Sequence, residues 1–193
     1  MTTKLNIWNE ALLMLGEELL TSTDEESIFV DKFNAVYTNT LKSALEKCFW
    51  FFATRTEQLN LLSELPLATG FSKKYQLPNE FLGLQVYYGN GGISKDFRTE
   101  SNYILSNDTT VVIKYTWMNN EPGSYSGSFG SYLSSLLALK LAFDSTSSSS
   151  YTANIAQLSE KYFKEAKYHS AKQSQFEGFI EDNNIRLGSY LDG

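Results

Sequence analysis

Residues 84–93 read Leu-Gln-Val-Tyr-Tyr-Gly-Asn-Gly-Gly-Ile, and the fold turns on how this stretch is read. Its first half is rich in β-formers and alternates with a period of two, as a strand with one buried face does. Gly89-Asn90-Gly91-Gly92 then offers residues that accept the positive φ of a tight hairpin turn, and residues 93–97 can return as the partner strand. Working outward, residues 73–77 read as a strand stopped at Pro78-Asn79, because Pro78 lacks an amide donor and holds the residue before it extended. Residues 103–105, the turn Asn107-Asp108 and residues 110–117 read as a second hairpin. A β module over residues 72–118 therefore interrupts the chain.

The flanks carry a helical period instead. Leu5, Trp8, Leu12 and Leu15 recur at spacings of three and four and stop at Gly16, a residue suited to the left-handed conformation that ends a helix. Thr23 and Glu26 have capping-box spacing, and Phe29, Phe33, Val36, Tyr37, Leu41, Ala44, Leu45 and Cys48 mark the stripe of a second helix running to about Lys47. Between Thr54 and Leu62 helix and strand both remain open. Beyond residues 119–130, rich in Gly, Ser and Asn, a third helix follows Phe129, Leu133, Leu136, Leu137 and Leu141. After the serine-rich residues 145–150 a fourth carries Ile155, Leu158, Tyr162, Ala166 and His169 on one face. Its other face bears Glu160, Lys161, Lys164, Lys167 and Lys172, the pattern of a solvated surface. No internal repeat is visible. The fold class expected is α+β: an antiparallel-type four-helix bundle from residues 1–71 and 119–176, a small antiparallel β module inserted between helices two and three, and a C-terminal tail over residues 177–193.

Composition narrows function. At 193 residues, 42% hydrophobic and 20% charged, the chain is an ordinary globular one. Its formal charge of −6 opposes binding to a polyanion, which needs Lys and Arg to displace counterions, so sequence-specific DNA recognition is not expected. The apolar run over residues 132–143 is interrupted by Lys140 and too short to span a bilayer, and the N-terminus lacks a secretion signal, so no membrane or export step is expected. Aromatic residues make up 15%, more than a small core needs, and some are expected at contacts between chains.

The residues of catalysis are sparse. Cys48 has no second cysteine and His169 no second histidine, which leaves neither a disulfide nor a histidine-pair metal site. Cys48 reads as a buried structural thiol and His169 as a packed or partly exposed side chain. Gly-Ser-Tyr-Ser-Gly over residues 123–127 fails the nucleophile-elbow spacing and lacks the lysine of a phosphate loop. Carboxylates such as Glu80 with Glu100 or Asp108, beside Tyr87, Tyr88, Tyr103 and Trp117, leave a glycan-binding or glycan-cleaving alternative open. Cross-strand packing accounts for the same aromatics.

Several motifs in order carry a resemblance. The first helix, Asn9-Glu10-Ala11-Leu12-Leu13-Met14-Leu15-Gly16-Glu17, is followed by an acidic start at Asp24 and the aromatic cluster Trp50-Phe51-Phe52-Ala53. Tyr75-Gln76-Leu77-Pro78 precedes the β insertion, and Leu136-Leu137-Ala138-Leu139-Lys140-Leu141-Ala142 lies in the third helix. In this order the chain resembles the tail tubular protein A family, the head-to-tail adaptors of short-tailed bacteriophages; residues 170–193 depart from that pattern. The resemblance implies a non-enzymatic virion protein, made in the host cytoplasm and free of cofactor and metal. It implies a ring of about a dozen copies, its helical part towards the portal protein, its β part towards the tail nozzle, and DNA passing through the bore. Portal contacts are then expected at Ile185, Arg186, Leu187, Tyr190 and Leu191, and nozzle contacts at Tyr87, Tyr88 and Asn90. Another head- or tail-completion connector fits the same residues.

Overall fold

The computed structural model describes residues 1–67, 70–142 and 149–188, with side-chain surroundings given as far as residue 174. The chain forms two compact units, one of Met1–Ala44, Trp50–Phe52 and Asn120–Gly193, the other of Leu45–Phe49 and Ala53–Asn119.

In the first unit α1 spans Lys4–Leu15. Thr3 caps it by accepting the Asn6 amide at 3.1 Å. Gly16 ends it at φ 73°, where the Glu17 amide reaches back to the Leu12 carbonyl at 3.0 Å. The capping box at Thr23 and Glu26 does not form. Glu25 instead folds back on the amides of Thr21 and Ser22 at 2.8 and 3.0 Å, and α2 begins later, over Ile28–Glu46, with Ser27 accepting the Phe29 amide. The stripe of α2 meets α1 through aromatic side chains: Trp8 stacks on Phe33 at 4.9 Å and meets Tyr37 edge-on at 6.2 Å. Both ends of the Asn9 amide hold the Leu20 backbone at 2.9 Å, fixing the connector between the two helices.

The third helix, α3 (Gly127–Ala142), packs against both α1 and the long α4 (Ser149–Gly188), so it is buried on more than one side and its apolar residues do not form a single stripe. Trp50 is the centre of this unit. It is fully buried, its indole N–H donates to the Ala44 carbonyl at 2.8 Å, and its ring lies 4.8 Å from Phe129, with Phe52, Tyr132 and Phe163 within 6.3 Å. Ser170 of α4 accepts the neighbouring Phe51 amide at 2.8 Å.

The second unit holds eight strands among the described residues: β1 (Thr54–Gln58), β2 (Asn60–Leu61), β3 (Lys73–Gln76), β4 (Phe81–Gly89), β5 (Gly92–Ile93), β6 (Phe97–Glu100), β7 (Tyr103–Ser106) and β8 (Val112–Trp117). They make two antiparallel four-stranded sheets ordered β1-β8-β4-β5 and β2-β3-β7-β6. One core joins them, from Tyr75 and Ile104 on one sheet and Tyr87, Ile113, Tyr115 and Trp117 on the other, with Leu59, Leu77 and Val111 beside them.

These sheets overturn the expected fold class. The described chain has helices at its ends and two four-stranded sheets in its middle, and is not a four-helix bundle with a small insertion. The difference starts in the stretch left open, where Thr-Arg-Thr-Glu-Gln has no apolar stripe for a helix to bury. It pairs residue for residue with β8, from Thr54↔Thr116 to Gln58↔Val112, so β structure begins well before residue 72. The hairpins also differ. β4 and β5 turn at Gly89 and Gly92, but β6 leaves for the other sheet, and β7 pairs with β3 and β6 rather than with β8. The turn at Asn107-Asp108 is thus a crossover between sheets. Near the C-terminus α4 runs on to Gly188, through the segment read from sequence as a tail.

Candidate functional site

The densest set of polar contacts lies at that crossover. Asp108 Oδ2 accepts the Tyr87 hydroxyl at 2.6 Å and lies 3.1 Å from Ser106 Oγ, while its Oδ1 accepts the Asn90 amide at 3.1 Å. Tyr75, from the opposite sheet to Tyr87, donates to the Asp108 carbonyl at 2.6 Å. Asn90 answers with its own side chain, accepting the amides of Thr109 and Thr110 and the Thr109 hydroxyl at 2.8–3.1 Å. Gly89 makes the approach possible, since a Cβ there would stand 2.6 Å from Asp108 Cγ and nearer still to Oδ2.

The electrostatics make this cluster a pin and not a proton relay. The Tyr87 hydroxyl, then the Asn90 amide, hold the Asp108 carboxyl below the usual carboxylate range. Burial first, and the adjoining carboxylate second, push the Tyr87 phenol well above its ordinary value. Around neutrality the carboxylate stays ionised and the phenol stays protonated, the states that the hydrogen bonds require. Because the Asp108 value is depressed on folding, its contribution is fully present above the unfolded value of about 3.9 and is lost as pH falls through the folded value. Asp108→Asn should cost about 1–2 kcal/mol at neutral pH. In chemical denaturation the gap from wild type should narrow on acidification below about pH 4.

Of the residues expected to meet a nozzle, the structure separates what sequence placed together. Tyr87 lies in the core, 2% exposed and stacked on Phe97 at 4.4 Å, so its ring is not a contact surface. Tyr88 points to the other face of the sheet, half-buried and paired with Ile93, and Asn90 is exposed but builds the turn. Ile185, Arg186 and Leu187 fall within α4, whereas Tyr190 and Leu191 lie outside the described residues.

The structure brings the carboxylates of the glycan alternative beside its aromatics, Glu80 to Trp117 through Arg55, Glu100 cross-strand from Tyr103 and Asp108 on Tyr87, but each is already engaged. Glu80 pairs with Arg55 at 3.0 Å, Glu100 with Arg98 at 3.5 Å, and Asp108 is engaged as above. Trp117 is 8% exposed, with Arg55 3.3 Å over its ring, and Tyr103 lies under Lys74 at 4.0 Å, so with Tyr87 in the core these rings form no open stacking face. His169 is exposed rather than on the apolar side of its helix, and Cys48 is half-buried in the turn after α2. Among the described residues no three His, Cys, Asp or Glu side chains are placed to hold a metal ion, and no helix is long and apolar enough to cross a membrane.

Sequence reading missed the surfaces. On the outward face of β2-β3-β7-β6, Lys74 pairs with Glu64 at 2.8 Å, and Leu105, cross-strand from both Lys74 and Arg98, is only 2% exposed. The outward face of β1-β8-β4-β5 differs: Val86, Tyr88, Val112 and Ile93 form an apolar band, and Ile93 is 74% exposed. Leu61, Leu65 and Leu67, on and after β2, are more than half exposed. In the helical unit Leu13, Leu19 and Ile28 are likewise open. Leu13 and Ile28 sit off the buried stripes of their helices, and Leu19, Leu65 and Leu67 lie in connections that have no period to read. Comparison with known protein families and with curated proteins returns no match to this chain.

Proposed function

We propose that the chain is a structural head-to-tail adaptor subunit of a short-tailed phage, acting in a ring that joins the portal to the tail nozzle. The observation that carries this reading is that both units close their own cores and yet leave large apolar side chains in solvent. Those side chains are Leu13, Leu19 and Ile28 in one unit and Leu61, Leu65, Leu67 and Ile93 in the other. A contiguous apolar band such as the one around Ile93 suits a protein contact, and a connector needs such surface on two bodies to hold two different neighbours. The order of motifs, which resembles that of the adaptor family, supports the same reading. In it the band around Tyr88 and Ile93 and the leucines after β2 serve the nozzle, while the end of α4 serves the portal.

A chain truncated after Ile180 tests the portal half. Mixed with the portal protein of the same phage and run through a sizing column, the full chain should co-elute with the portal and the truncated chain should not. Equal retention of both would remove the C-terminal segment from the portal contact, and retention of neither would count against the adaptor role.

A further inference from the structure

The helical unit carries two exposed surfaces of opposite character. The connector from α1 into α2, residues 17–31, holds six acidic residues and no basic one, and Glu17, Glu18, Asp24, Glu26 and Asp31 are exposed. Among these acids stand the open side chains Leu13, Leu19 and Ile28, at 64%, 51% and 66%. Apolar groups left open inside a charged rim have the make-up of a protein contact. On α4, residues 161–172 hold four lysines and one glutamate. Lys161, Lys164, Lys167 and Lys172 are exposed together with Tyr168, over whose ring Lys172 lies at 4.7 Å.

The two surfaces do not pair with one another within one copy. The Tyr151 hydroxyl donates to the Met14 carbonyl, which sets the start of α4 beside the end of α1, where the acidic connector begins. The lysines follow on the order of 15–30 Å further along the helix, at 1.5 Å per residue, towards the place where Ser170 meets Phe51. Among the described residues no carboxylate of the connector pairs with a lysine of this face, and Lys161 pairs with Glu165 of its own helix at 3.9 Å, so the two patches do not neutralise one another inside the chain.

We propose that they neutralise one another between copies: the acidic, leucine-bearing connector of one chain docks on the lysine and tyrosine face of α4 of the next. A contact between two different patches is heterologous, and such contacts close into rings when the rotation permits. A second copy fits this face better than a nucleic acid does. The segment carries +3 and leaves −9 on the rest of a chain whose total is −6, so a phosphate polymer meets net repulsion. A neighbour's connector brings carboxylates to the lysines and leucines to Tyr168. The inference rests on the ring reading for closure, not for the pairing.

Charge reversal in the full chain tests it, with K164E/K167E on α4 and E18K/D24K on the connector, followed by sedimentation velocity. Wild type should associate in roughly 25 mM salt and dissociate in roughly 500 mM, as a screened contact does. Each variant alone should associate at least about ten-fold more weakly, a change of ~1.4 kcal/mol. An equimolar mixture of the two should regain association, because each then presents the patch that complements the other's reversed one. A wild type that stays single at low salt overturns the proposal. Undiminished association of both variants also overturns it, while leaving a ring built on other contacts. Loss of duplex DNA binding by K164E/K167E with self-association unchanged would reassign α4 to nucleic acid and overturn it as well. Chains that pair through these patches yet never close into a ring would keep the contact and sink the adaptor reading.

Discussion

Trp50→Ala should lower the stability of the helical unit by about 3–5 kcal/mol, the range for deleting a large aromatic from a packed core. The indole is fully buried against Phe52, Phe129, Tyr132 and Phe163, so its removal forfeits apolar burial and leaves a cavity that rigid rings on several elements fill poorly. It also leaves the Ala44 carbonyl without its donor at the end of α2. A fall in melting temperature of roughly 10 °C follows for a chain of this size, read by circular dichroism at 222 nm. Trp50→Phe should recover part of the loss, because it restores most of the volume but not the N–H. A variant within 1 °C of wild type would mean that the aromatic nexus does not hold the helices together.

Gly89→Ala should cost the β unit about 2–4 kcal/mol, the sum of overpacking and of hydrogen bonds broken at a buried phenol. The new methyl group would occupy the space of the Asp108 carboxylate, which must then turn away from Tyr87, Ser106 and the Asn90 amide. A double-mutant cycle isolates the cause: placed in an Asp108→Ala background, the same substitution should lose most of its effect, since the group it displaces is already gone. Hydrogen exchange should show the loss of protection in β3, β4, β7 and β8, with α3 and α4 retaining theirs. A penalty of equal size in both backgrounds would show that the glycine is required for another reason.

Much of the helical part was legible because its signals are local. Gly16 stops α1 where a left-handed cap is needed, and the stripe of α2 from Phe33 to Leu45 is the face that is buried. The start of α2 misled because Thr23 and Glu26 have the right spacing, while Glu25 is captured by Thr21 and Ser22. The β part was legible strand by strand but not in its pairing. Residues 84–88 and 110–117 read as strands and fall in β4 and β8 but for Thr110 and Val111, yet no local signal says that β8 passes its neighbour β7 to lie between β1 and β4. Sheet topology is settled by long-range burial, here of Ile113, Tyr115 and Trp117 against Tyr75 and Ile104. The polar pin was half legible: Asn107-Asp108 and Gly89-Asn90 each read as turns, but nothing in either says that one clasps the other.

The tyrosines show the same limit. Tyr87 and Tyr88 are adjacent in sequence and both were expected to meet a partner, yet a strand sends them to opposite faces. One becomes a core residue whose hydroxyl is held by Asp108 and Ser106, and the other joins the apolar band with Ile93. Of the two only Tyr88 remains available to a neighbour. The open leucines after β2 and around the α1–α2 connector now carry more of the contact argument than the aromatic surplus did.

Native mass spectrometry of the chain mixed with the portal protein of the same phage tests the central claim most directly. A single complex is expected, in which a fixed number of copies, about a dozen, sits on one portal ring. Free monomer persisting beside an unaltered portal would contradict it.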